Sequence, residues 1–395
     1  MAVVRPFKAL RYNFEKAGAP ETVCCPPYDI IPDPSVWTGR NPSNAILLEG
    51  GERLGTPEPY DGAKKLLDKW LGDGTLRVDD KPGFYVYEVT FTAQDGSRRA
   101  LGGIFAHVEL RPFSDGVVLP HEKTLSAAKA DRYELMTATG CHFSPIYALY
   151  EDSDRGIAHR VAKARRRDPV DSFTMPDGTD IKLWIITDDE DCGGMSDSFA
   201  SKKLYIADGH HRYETSLKVR QEVEGASPYV MMFLADVDDP GLEVQATHRV
   251  VSRLASYDEA AVRERLERDF TLTPKDEADF GKPCWITASG SWLLTPKERF
   301  DGLDVLLLQD GILEPVFGID RANLAAQTNV SYTRDSAEAL ELVRSGKAQC
   351  AFLLAPTLVR QICETADSGS QMPQKSTYFY PKIITGLVMN RFKEM

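Results

Sequence analysis

The stretch "LYIADGHHRYETSL", Leu204 to Leu217, decides how the rest of the chain is read. An apolar, β-compatible run from Leu204 to Ala207 meets Asp208-Gly209, where glycine supplies backbone angles that other residues avoid. A helix is expected from about His210 to Glu224, with Leu217 and Val219 on its inner face. Strand, sharp turn and helix start in succession build an anion site. The first turn of a helix offers N–H groups without intrahelical partners and carries partial positive charge. Gly209 lets a ligand approach that backbone, and Arg212 adds a planar fork of donors suited to phosphate. A carboxylate at Asp208 is out of place beside phosphate unless it holds Mg2+ or takes a proton from an attacking hydroxyl. That combination points to phosphoryl transfer or hydrolysis. His210 and His211 are adjacent, so on a helix their side chains diverge by about a hundred degrees and do not grip one metal ion together. The plain alternative is that Asp208 caps the helix, the histidines lie on the surface and Arg212 makes a salt bridge.

Bulk properties narrow the classes. At 395 residues the chain is long for one core, and two domains are expected. With 47 basic and 59 acidic side chains the formal net charge is -12, which argues against a broad nucleic-acid surface and leaves room for a local basic pocket. No run approaches the ~18 apolar residues of a membrane span, and "MAVVRPFKALRYNF" lacks the apolar core of a signal peptide. Seven scattered cysteines, an adjacent pair at Cys24-Cys25 and no CxxC fit neither a disulfide framework nor a zinc ribbon. Reduced thiols in a cytoplasmic protein are the expectation.

Working outward, "YDGAKKLLDKWL" puts Ala63, Leu66, Leu67, Trp70 and Leu71 on one helical face, ended by Gly72 and Gly74. Asp95-Gly96 lies between two apolar runs and predicts a hairpin. Helix is expected over 126–139 and strand in "FSPIYALY", "IKLWIIT" and "YVMMFLADV". After Arg253 the texture changes: a charged helix in "YDEAAVRERLERDF", a strand pair in "PCWITASGSWLL", then helix, strand, helix. This places a boundary near residue 255, giving a catalytic domain over 1–255 and an α/β domain over 256–395. The terminal segment of the latter can return to the site. Mixed strands and helices without a regular βαβ rhythm indicate an α+β class or a mixed α/β sheet.

Other polar clusters can serve the same chemistry. "VLPHEKTLSAAKADRYEL" offers Glu122 as a general base and Lys123 as a phosphate ligand, against the alternative of a solvated loop. "ATHRVV" sets Thr247, His248 and Arg249 together at a strand end, where ordinary surface contacts are slightly preferred. "MPQKSTYFYPKIITGL" brings Lys375, Ser376, Thr377 and Lys382 among aromatics, and Lys375 is chosen as the residue that points at the ligand.

The run "ADGHHR" resembles the phosphate-binding motif of the ParB/sulfiredoxin superfamily, which includes partitioning proteins, sulfiredoxins and free-serine kinases. Sulfiredoxins carry a catalytic cysteine where this chain has His210. The free-serine kinases carry Asp-Gly-His, a small residue and Arg, matched here by Asp208, Gly209, His210 and Arg212, with His211 at the variable place. That resemblance implies a ParB/sulfiredoxin-like nucleotide-binding core. In it Asp208 assists a substrate hydroxyl, and Gly209 to Arg212 hold nucleotide phosphates. A second resemblance spans nearly the whole chain: "RPFKALRYN", "CPPYDII", "LPHEKTL", "ADGHHRYETSL", "THRVV" and "MPQKSTYFYPKIITGLV" are similar to the family called domain of unknown function 1015 (DUF1015).

These readings converge on a nucleotide-dependent phosphotransferase for a small hydroxyl compound, free L-serine by resemblance, using Mg2+ with ATP or ADP. Asp208 and Glu122 are its catalytic candidates; Gly209, His210, His211, Arg212, Lys123 and Lys375 are its phosphate ligands, with no protein metal site. The competing expectations are a ParB-like nucleotide-binding regulatory module and a phosphate-ester hydrolase.

Overall fold

The computed structural model describes residues 1–122, 124, 126–275, 283–300, 302–373 and 375–393, the side chains of 126–128 excepted. The chain is mixed α+β and divides into two compact units. The first comprises Met1–Pro120, Thr124–Glu243 and Pro381–Met395; the second comprises His121–Lys123 and Val244–Tyr380. The main division therefore falls at Glu243–Val244 rather than near residue 255, because His248–Val251 is an internal strand of the second unit's sheet. The change of texture after Arg253 marks the first charged helix of that unit and not its start.

The first unit is built on a sheet of nine strands among the described residues. They are β1 (Val4–Arg5), β2 (Phe84–Thr92), β3 (Arg98–Glu109), β4 (Val118–Leu119), β5 (Ile146–Tyr150), β6 (Asp171–Thr174), β7 (Asp180–Ile186), β8 (Leu204–Asp208) and β9 (Tyr229–Asp236). Their order is β4–β8–β5–β9–β3–β2–β7–β6, with β1 also paired to β3. Its helices include α1 (Pro59–Gly72), α2 (Ser126–Thr139), α3 (Gly156–Ala164), α4 (Asp189–Phe199) and α5 (His210–Glu222). The predicted hairpin joins β2 to β3: Gly96 adopts φ 79° and the Asp95 carboxylate accepts from the Ser97 N–H at 2.9 Å. The central strands are buried on both faces, so they read as near-continuous apolar runs. One face, with Val86, Ile104, Ala148, Ile206 and Met232, packs with Ile157 of α3 and Met195 and Phe199 of α4. The other carries an aromatic cluster in which Tyr87, Tyr147 and Phe105 all meet Phe233 at ring-centroid distances of 5.6, 5.1 and 5.4 Å.

The second unit has an antiparallel sheet of β10 (His248–Val251), β11 (Phe270–Pro274), β12 (Cys284–Thr287), β13 (Gly290–Pro296), β14 (Val330–Thr333) and β15 (Cys350–Leu353), in the order β11–β13–β12–β15–β10–β14. With it go α6 (Glu259–Asp269), α7 (Ser336–Arg344) and α8 (Val359–Asp367). Alternation along β10 sends Val250 into a core with Ala339, Leu340 and Val343 of α7, and Val251 into the opposite core with Trp285 and Phe352. His248 therefore shares the face of Val250, and Arg249 that of Val251. All seven cysteines are buried and none is in a disulfide, and burial pushes the Cys24 thiol well above its ordinary range. Among the described residues no helix is long and apolar enough to cross a membrane.

Candidate active site

The site is a strand end in the first unit. β8 runs parallel to β4 and antiparallel to β5, and its register against β5 shifts between Ile206 and Asp208. Such an irregularity re-aims the following side chain. Gly209 takes φ 91° and ψ 27°, the left-handed region that glycine enters without strain, and α5 begins at the next residue. A Cβ at 209 would stand 3.0 Å from Nε and 3.1 Å from Cζ of Arg212. Glycine is thus required twice, by the turn and by the guanidinium folded back over it.

Asp208 does not cap α5, whose N-cap is Gly209 with no side-chain cap bond. Its carboxylate instead takes two cations: Lys382 Nζ at 2.5 Å on Oδ1 and Arg212 Nη2 at 2.6 Å on Oδ2. Burial would raise the Asp208 pKa, but the Lys382 ammonium and the Arg212 guanidinium overcome it and hold the carboxyl well below the usual carboxylate range. Arg212 is 6% exposed. Its Nη1 donates to Ser144 Oγ at 2.8 Å and to the Pro145 carbonyl. Burial opposes its charge, while Asp208, Asp29 and Glu49 favour it, and its pKa is raised.

Behind Arg212 lies a second buried carboxylate. Glu49, at the end of the helical turn Ile46–Glu49, accepts from Ser144 Oγ and, at 2.6 Å, from Thr385 Oγ1. Its own carbonyl receives Arg132 Nη1 at 2.8 Å. Arg132 is ion-paired to Asp131 and lies 3.8 Å over the Tyr28 ring. The result is a continuous buried chain, Lys382–Asp208–Arg212–Ser144–Glu49–Thr385, which ties the β8–α5 turn to two distant parts of the sequence.

The remaining sequence candidates separate as follows. His210 is buried and His211 half-buried on the first turn of α5. Arg212, expected as an open phosphate fork, has both terminal nitrogens committed inside the chain. Glu122 belongs to the second unit, half-buried, in a parallel bridge with Met372. Lys123 lies outside the described residues. Lys375, also in the second unit, is exposed on a left-handed turn with φ 57°. The lysine that meets Asp208 is Lys382, and sequence reasoning passed it over. Its signal was a cation directly before Ile383-Ile384, both buried, a setting that calls for a carboxylate partner. Glu49, Ser144 and Thr385 carried no such signal. A cavity of about 710 Å³ lies elsewhere in the first unit, lined by residues such as Tyr150, Asp152, Arg155, Arg165, Asp236 and Asp239, and contains none of the candidates.

The family model described as "Protein of unknown function (DUF1015)" matches residues 4–309, and the chain belongs to that family. No curated protein matches the chain. Among solved structures it is similar to a mutant free serine kinase in complex with AMP (14% identity, 72% of this chain and 92% of that one, TM-score 0.40). It is also similar to a conserved hypothetical protein from Pyrococcus furiosus (16%, 72% and 95%, TM-score 0.38). A third is SbnI with a C-terminal truncation from Staphylococcus aureus (11%, 73% and 87%, TM-score 0.39).

Proposed function

We propose that the protein is a nucleotide-dependent phosphotransferase acting on a small hydroxyl compound, with free L-serine the first substrate to try. The observation that carries this reading is the Asp208 carboxylate, kept ionised by Lys382 and Arg212 at the C-terminal end of β8, one residue before a helix N-terminus reached through left-handed Gly209. The turn supplies N–H groups for phosphate oxygens. Among the described residues no group of three or more His, Cys, Asp or Glu could hold a metal ion. Mg2+ would arrive on the nucleotide phosphates and take at most one carboxylate from the protein; when bound it would neutralise charge on the transferring group.

In the reaction the substrate hydroxyl oxygen attacks the terminal phosphorus of ATP or ADP, the bond to the leaving phosphate oxygen breaks, and the hydroxyl proton goes to a carboxylate. A group held as acidic as Asp208 is a weak proton acceptor, so Asp208 orients the hydroxyl and a more basic group takes the proton. His210 and His211, on the first turn of α5, add to the phosphate contacts. Incubation with Mg-ATP or Mg-ADP and serine should yield phosphoserine, and Asp208→Asn should lower kcat at least about a hundredfold. No nucleotide binding at millimolar concentration would end the proposal.

The double pairing of Asp208 favours one other reading, a regulatory nucleotide-binding module in which the ion pairs only stiffen the turn. In that case Asp208→Asn keeps nucleotide affinity and no phosphate moves. A phosphate-ester hydrolase would release phosphate equally with and without serine.

A further inference from the structure

We propose that Arg249 and the Tyr332 hydroxyl form the receiving end of a second site, within the second unit, for the carboxylate or phosphate group of a small ligand. Arg249 sits mid-strand on β10, 2% exposed, with Tyr332 of β14 and Phe352 of β15 as its cross-strand partners. Its Nη1 donates to the Thr247 carbonyl, and its guanidinium lies 5.4 Å over the Tyr332 ring. Among the described residues no carboxylate comes within ion-pair distance of it. The adjacent Tyr332 hydroxyl is buried and, among the described residues, without a hydrogen-bond partner. An unbalanced buried cation is costly, and so is an orphaned buried hydroxyl. Two such groups on neighbouring strands, on one face of the sheet, share one remedy: an anionic oxygen that accepts from both.

The Glu122 carboxylate acts on the Tyr332 hydroxyl and opposes an anion there, so the attraction comes from the guanidinium. Burial lowers the Arg249 pKa to about 10, as expected of a guanidinium without a counter-charge. His248 adds no cation: burial pushes its pKa down to about 4, and its Nδ1 accepts the Leu354 N–H at 3.2 Å. One guanidinium and one phenol suit a single anionic group, and the planar fork matches carboxylate and phosphate alike. Deep burial restricts the ligand to something small. Arg249 belongs to the "ATHRVV" motif, which the turn at Asp208 leaves unexplained. The inference stands apart from the phosphotransferase reading, and its test separates the two.

The test is a thermal-shift titration of the full chain with sodium glycerate and with inorganic phosphate at constant ionic strength, with sodium chloride as the control. At least one should raise Tm saturably beyond chloride, and which one does so identifies the group. Arg249→Met should remove that shift while its ligand-free Tm is unchanged or higher, since it deletes an uncompensated buried charge. Tyr332→Phe should weaken the anion at least about threefold, and it carries the test alone if Arg249→Met does not fold. ADP binding to Arg249→Met, read by calorimetry, should match the wild type. The proposal is overturned if neither anion acts beyond chloride, if the variants respond like the wild type, or if Arg249→Met loses ADP.

Discussion

Two buried arginines in this protein live under opposite rules. Arg212, in the first unit, meets Asp208 and Ser144, and through Ser144 it reaches Glu49. Arg249, in the second, has a backbone carbonyl and an aromatic ring but no carboxylate among the described residues. The first is a finished network, in which each charge is answered from within the chain. Such networks hold a turn in one shape, and the shape held here is a helix start aimed by a strand end. The second is an unfinished one, where the chain keeps a charge that something else must answer. Burial by itself therefore says little about a charged side chain; what decides is whether its partner is already present.

Substitution should separate the two arginines most widely. Arg212→Ala leaves Asp208 facing Lys382 alone and strips Ser144 of its donor, so it should cost about 3–5 kcal/mol in denaturant unfolding. A loss under about 1 kcal/mol would erase the contrast. Gly209→Ala forces a side chain into the left-handed region and against the Arg212 guanidinium, for a loss of about 1–2 kcal/mol and weaker nucleotide binding. Arg249→Met should go the other way, with stability unchanged within about 1 kcal/mol or raised. Lys375→Ala, on an exposed turn with no ion pair among the described residues, should alter stability by no more than about 0.5 kcal/mol in denaturant unfolding.

Acid offers a finer cut through the first network. The carboxyl of Asp208 is held below the ordinary range in the folded state, so its charge adds stability that is complete above about pH 4 and lost as pH falls through the folded-state value. The stability gap between wild type and Asp208→Asn should be widest near neutrality and close on acidification. A gap that stays constant from about pH 7 to about pH 3 would mean that Lys382 and Arg212 do not hold the charge.

What could be read in the sequence was local. The Asp95-Gly96 hairpin, the strand, glycine and helix at 204–222, and the amphipathic helix ending at Gly72 each depend on residues a few positions apart, and each is found in place. The partners that complete the site are not local. Lys382 meets Asp208 across 174 positions, Thr385 meets Glu49 across 336, and Ser144 meets Arg212 across 68. No periodicity encodes such pairs. The sequence thus presents Arg212 as an outward fork where the structure makes it an inward strut, and it favours Lys375 over Lys382, although Lys382 directly precedes two buried isoleucines. The boundary was misplaced for a related reason: His248–Val251 is too short a run to declare which sheet it joins.

The central claim is that the bend after Ala207, shaped by Gly209 and braced by Arg212, receives nucleotide phosphates. Calorimetric titration of the wild type and of Gly209→Ala with Mg-ATP and Mg-ADP tests it most directly. The account predicts a wild-type Kd below about 1 mM for at least one nucleotide, and a clear loss of affinity in the folded variant. No binding by the wild type, or equal binding by both proteins, would contradict it.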